Sequence, residues 1–129
     1  MKILTLIIKQ KWFDEIMNGT KKIEYRELTP QNAHKLVEFD KDGYMVEGQD
    51  IEHPNVPKKY DAIRFYVGYA KDRDTALVKI ENIEAKPIKT DDGKFIYEGE
   101  PESPDFWVYV MIEYHLGEII EKKHTHRAR

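Results

Sequence analysis

The sequence predicts an α+β protein, a small mixed barrel of five or six strands flanked by two or three short helices. Three observations carry this reading. Residues 61–70 set Ile63, Phe65, Val67 and Tyr69 against Arg64, Tyr66 and Gly68, and 75–83 set Ala76, Val78 and Ile80 against Leu77, Lys79 and Glu81, the period of a β-strand. A third run, 106–115, alternates among apolar and aromatic residues. The stretch KQKWFDEIMNGTKKIEYR, Lys9 to Arg26, switches from helical spacing to strand spacing across one glycine.

Taken in order, Ile3 to Ile8 is apolar without alternation, which predicts a strand buried on both faces. Trp12, Phe13, Ile16 and Met17 recur at helical spacing, so a helix spans about Lys11 to Asn18, and Asn18-Gly19 stops it. In the strand from Lys21 to Leu28, Ile23 and Tyr25 share one side while Lys22, Glu24 and Arg26 share the other. Thr29-Pro30 opens a second helix to about Phe39, with threonine as cap and proline at the first position. Residues 40–59 form an irregular excursion with a short hairpin around Lys41-Asp42-Gly43.

Lys71-Asp72-Arg73-Asp74 turns the chain between two strong strands, the second running on, bent, through Ile88. Asp92-Gly93 makes another hairpin turn into Phe95-Ile96-Tyr97, and the acidic, proline-containing segment 98–105 is loop. The last strand, Phe106 to His115, stops at Leu116-Gly117, one helical turn follows over 118–123, and HTHRAR is a basic flexible tail.

At 129 residues the chain fits one domain with a single core. No stretch reaches the roughly 20 apolar residues of a membrane-spanning helix. The N-terminal run lacks a small-residue cleavage site, so it reads as a strand rather than a signal peptide. The absence of cysteine excludes disulfides and thiolate zinc sites and makes a cytoplasmic location the expectation. His34, His53 and His115 are scattered, and no phosphate-binding glycine loop or nucleophile motif is present, so no metal or cofactor is expected.

A net charge of −3 argues against a broad grip on nucleic acid. The charge is unevenly spread. Met1 to Leu28 holds six Lys/Arg against four Asp/Glu, +2, whereas Asp91 to Asp105 holds one lysine against six acids, −5. A nucleic acid would therefore meet the first stretch and avoid the second, unless both are simply solvated faces.

The polar candidates gather in the first stretch. Glu24 and Arg26 lie about 7 Å apart on one strand face and can pair. An arginine fork suits a phosphate or a base edge, and a carboxylate accepts from an exocyclic amine. Left on an open surface, the same pair would contribute under about 1 kcal/mol. Lys21, just past the glycine corner, can hold a phosphate or act as a base; otherwise it is a solvated turn lysine. Lys9 ends the first strand, Tyr66 can stack on a base or pack as an ordinary strand tyrosine, and Glu81 stands on the polar side of a central strand.

The motif Gly19-x-Lys21-x-x-Glu24-x-Arg26, with the strand ending Ile8-Lys9 and the short helix before it, resembles the ASCH domain family. That family is a branch of the PUA-like superfamily linked to RNA metabolism and, in some members, to modified nucleosides. The resemblance implies a PUA-like pseudobarrel, a single domain over 1–123 with the tail at 124–129, and a cleft between first helix and barrel lined by the Glu-x-Arg pair. The helix–glycine–strand geometry brings the strand end, the turn and the charged strand face together, so the expected ligand-binding set is Lys9, Lys21, Glu24 and Arg26 with Tyr66 at its edge. The partner is then RNA or a modified nucleoside or nucleotide, bound by a monomer or weak dimer.

Some members of that family hydrolyse N4-acylated cytidines with a lysine, a threonine and a glutamate, and others cleave RNA. The lysine maps to Lys21 and the acid to Glu81, but Glu24 stands where the threonine would be. Catalysis, if present, would fall to Lys21, Glu24 and Glu81. The expectation is therefore a binding module, with the amidohydrolase or ribonuclease as alternative. A third possibility is a protein-interaction domain using the Phe106–Tyr114 strand, should that strand lie exposed at an edge.

Overall fold

A computed structural model describes residues 1–123, so the predicted tail at 124–129 lies outside the described residues. The elements in chain order are β1 (Ile3–Ile8), α1 (Gln10–Met17), β2 (Ile23–Glu27), α2 (Ala33–Leu36), β3 (Glu47–Asp50), β4 (His53–Asn55), β5 (Ala62–Val67), β6 (Thr75–Pro87), β7 (Tyr97–Glu98), β8 (Trp107–Val108) and β9 (Val110–Lys123). The described residues are thus α+β, mostly strand with two short helices. Its main sheet has the open order β1-β5-β6-β9-β2, and β3-β4 and β7-β8 are separate two-stranded ribbons. The chain falls into two units, one formed by Met1–Glu24, Lys59–Asn82 and the residues from Tyr114 on, the other by Tyr25–Lys58 and Ile83–Glu113.

In the first unit, β1 runs parallel to β5, with Leu4, Leu6 and Ile8 level with Ile63, Phe65 and Val67. Burial along β1 alternates: Leu4, Leu6 and Ile8 are buried, whereas Ile3 and Thr5 are exposed. This corrects the expectation of a strand buried on both faces. An apolar run cannot by itself distinguish a two-sided strand from one at a sheet edge, which is where β1 lies. On β6, Ala76, Val78 and Ile80 point into the same core as Ile63 and Phe65, and Phe13 and Ile16 of α1 are buried in this unit.

The expected stop at Leu116-Gly117 is absent, because β9 continues as strand to Lys123 through the segment predicted as a helical turn. Gly117 is not a terminator. A Cβ there would lie 2.8 Å from Glu81 Cγ and 2.9 Å from its Oε1, so the glycine makes room for a neighbouring strand's side chain. The strand is also interior to the sheet order, with Val110, Ile112 and Tyr114 buried. It is therefore not the exposed edge that a protein-interaction reading would need.

In the second unit the helix predicted from Thr29 to about Phe39 shrinks to Ala33–Leu36. Thr29 and Asn32 cap each other's backbone N–H, through Thr29 N–H to Asn32 Oδ1 at 2.8 Å and Asn32 N–H to Thr29 Oγ1 at 3.3 Å. Those bonds hold a turn, so the helix begins only after Asn32. Val37 is already extended and bridges Pro57. The excursion 40–59 contains the expected turn, closed by Asp40 N–H to Tyr44 O at 2.8 Å, followed by the β3-β4 hairpin. Asp92-Gly93 turns as expected, with Thr90 N–H bonded to Lys94 O and Lys89 bridging Phe95.

Candidate functional site

The first unit builds its polar site from the end of α1. Gly19 has φ +85°, the left-handed region that glycine enters without a Cβ clash. The N–H groups of both Thr20 and Lys21 then donate to Glu15 O at 3.0 Å. Asn18 Oδ1 accepts from Thr20 N–H at 3.0 Å and from its hydroxyl at 2.7 Å. This knot reverses the chain so that the Lys21 side chain returns over the helix.

Lys21 Nζ lies 3.4 Å from Glu24 Oε1, donates to Ile23 O at 2.7 Å, and stands 5.4 Å from the centre of the Trp12 ring. The side chains of Lys21 and Glu24 are only 15% and 7% exposed. Glu24 is thus a buried carboxylate on a strand whose apolar Tyr25 faces solvent. The alternation along β2 is as the sequence predicts, but Glu24 makes its charged side the inner one. The backbone bonds Leu116 N–H to Lys22 O and Leu28 N–H to Val110 O set an antiparallel register that puts Glu24 opposite the fully buried Tyr114. A buried carboxylate needs a partner, and the ammonium of Lys21 supplies one.

The other sequence candidates are placed as follows. Lys9 is exposed at the start of α1, where its carbonyl accepts from Trp12 and Phe13 N–H. Tyr66 is half-buried on β5, and the guanidinium carbon of Arg73 lies 4.2 Å from its ring centre. Arg73 also donates to Gly68 O at 2.8 Å, which fixes it across the turn. Glu81 is exposed and lies along Gly117. Arg26 is half-buried and belongs to the second unit. Lys21 thus meets Glu24 directly, and Tyr66 meets Arg73.

Helical spacing predicts Trp12 on the buried face of its helix. It is 39% exposed instead, with Lys11 and Lys21 at 4.7 and 5.4 Å from the ring centre. Asp74 belongs to a polar turn by sequence, yet it is buried and accepts from Gln10 Nε2 at 3.0 Å. The usable signal for Trp12 is Lys11 beside it and a lysine just past the glycine stop. Asp74 carries no such signal.

The family model described as ASCH domain matches residues 6–118, nearly the whole chain. Searches of the curated proteins and of the solved structures gave no match.

Proposed function

The chain belongs to the ASCH domain family, and from that premise we propose that it is a binding module for RNA or a modified nucleotide, with its ligand beside the first helix. The observation that supports this reading is the Lys21–Glu24 pair, seated on the motif positions and next to the half-open face of Trp12. The three groups offer three kinds of contact. Trp12 presents a face on which a base can stack, worth about 1–3 kcal/mol. Lys21 offers a cation to a phosphate, and Glu24 accepts from an exocyclic amine.

Lys9 and Tyr66 extend the proposed ligand set within the first unit, and Arg26 is proposed as a phosphate contact in its own right. A chain of net charge −3 gives modest affinity that falls with salt. The test is titration of labelled single-stranded RNA at low salt. Saturable binding that is lost in the Lys21→Ala, Arg26→Ala double variant supports the reading; absent binding, or binding unchanged in that variant, sinks it.

The local contacts weigh against the amidohydrolase. The Thr20 hydroxyl bonds to Asn18 Oδ1 and to Glu15 O, within the knot that ends the helix. Glu24, in the position where a hydroxyl nucleophile would be needed, pairs with the lysine that would have to activate it. Lys21 and Glu24 together supply acid and base groups, but not the nucleophile that an acyl transfer through the protein requires.

A further inference from the structure

We propose that a cavity in the second unit, walled by three aromatic rings and three carboxylates, binds a linear aliphatic polyamine. The cavity measures about 450 Å³, within the roughly 300–1,000 Å³ of small-molecule sites. Its lining includes Phe106, Trp107 and Tyr109 together with Glu27, Glu98 and Asp105, and no lysine, arginine or histidine. Three carboxylates and no cation give these walls a formal charge of −3.

Two of the three carboxylates are oriented by neutral donors. The Tyr109 hydroxyl donates to Glu98 and the Ser103 hydroxyl to Asp105. Such bonds fix a carboxylate without cancelling its charge. Glu24, Glu52 and Glu113, by contrast, meet the ammonium groups of Lys21, Lys89 and Lys86. The segment from Asp91 to Asp105, at −5, contributes Glu98 and Asp105 to the walls and adds to the negative field over them.

These walls select their occupant. Phosphates and nucleic acids are repelled by uncompensated carboxylates. A bare divalent ion would leave three rings unused, and a single quaternary ammonium would satisfy the rings but leave two carboxylates without a counter-charge. An amine chain with two or more ammonium groups meets both demands. Its methylene runs cover the aromatic faces, and its charges sit on the ring faces and carboxylates.

The test is calorimetric titration of spermidine into the full chain at fixed ionic strength. Saturable binding is expected, weakened about tenfold or more by Glu27→Gln with Asp105→Asn, since an amide replaces a charge-assisted hydrogen bond to an ammonium with a weaker neutral one. Trp107→Leu should weaken it as well, and Glu118→Gln, far along β9, should leave it unchanged. All three carboxylates of the cavity lie at exposed positions, so melting curves of the amide variants should match the parent chain. Three results would overturn the proposal: no saturable heat, displacement of spermidine by an equal concentration of magnesium chloride, or undiminished binding in the doubly substituted, still folded variant. RNA binding is read out at Lys21 and Arg26, so failure here leaves that reading untouched.

Discussion

Glu24 and Glu98 are the same side chain put to opposite uses. In the first unit Glu24 is buried and its charge is met by the Lys21 ammonium at 3.4 Å. In the second, Glu98 is exposed and accepts from the neutral Tyr109 hydroxyl. One carboxylate serves local structure beside a cation and an aromatic face. The other keeps its charge facing a cavity. What a region can bind is therefore decided less by how many acids it holds than by what each acid already touches.

The sharpest way to break this contrast is to remove the partner from each carboxylate. Lys21→Met takes the ammonium from beside a nearly buried Glu24, and urea unfolding should show a loss of about 2–3 kcal/mol, below the range for a fully buried pair. Tyr109→Phe leaves an exposed carboxylate that water can solvate, and should cost under about 1 kcal/mol. Equal losses in the two variants would show that the two sites do not differ in the way proposed.

The second measurement concerns ligand affinity. Lys21→Ala with Arg26→Ala should lower RNA affinity by about tenfold or more, and log affinity should fall with log salt at about −0.7 per phosphate contact for a single strand. The cavity variants Glu27→Gln and Asp105→Asn should raise RNA affinity slightly or leave it alone. A clear loss in those would place RNA at the wrong region.

Turnover is the next discriminator. Incubation with N4-acetylcytidine should release no detectable cytidine, because the Thr20 hydroxyl is tied into the helix end and Glu24 is paired. Release that Lys21→Ala abolishes would promote the amidohydrolase. A smaller effect is expected from Gly117→Ala, which sets a Cβ against Glu81 Cγ and should cost about 1 kcal/mol as the exposed side chain shifts aside.

The smallest effect is a matter of pH. The side-chain hydrogen bond from His53, at 2.8 Å, holds the Asp50 carboxyl below its ordinary value of 3.8. A depressed carboxylate stabilises the fold above its unfolded pKa, and that contribution is lost as pH falls through the lower folded value. His53→Ala should thus lower stability slightly at neutral pH, and the two curves should converge as pH falls through the folded value of Asp50. A difference that persisted in acid, or grew there, would mean that His53 acts otherwise.

Much of the architecture was legible because period-2 alternation and turn chemistry are local signals. Residues 62–67 and 75–87 are strands where the alternation placed them, and Gly19, Gly43 and Gly93 turn the chain with positive φ. The failures share one cause. Burial of β1 on one face, the continuation of β9 past Gly117 and the early end of α2, where Val37 bridges Pro57, depend on which neighbours pack against each segment, and a single sequence does not name those neighbours. For the site, the motif identified Lys21 and Glu24, and alternation put Glu24 opposite Tyr25. It could not say which side faces inward, since a charged side is by default the wet one. The glycine knot after α1 returns a lysine to that inward carboxylate and so helps to stabilise it.

The parallel pairing of β1 with β5 has a consequence for how the protein is made. Lys2 N–H bonds to Asp61 Oδ2 across 59 residues, and Ile3 pairs with Ala62. During synthesis, at about 5–20 residues per second, β1 must wait several seconds for its partner to be translated. Throughout that interval Leu4, Leu6 and Ile8 lack Ile63, Phe65 and Val67, the residues level with them in the folded sheet. The strand β1 is thus made well before the strand it pairs with, and a chaperone has that window in which to meet it.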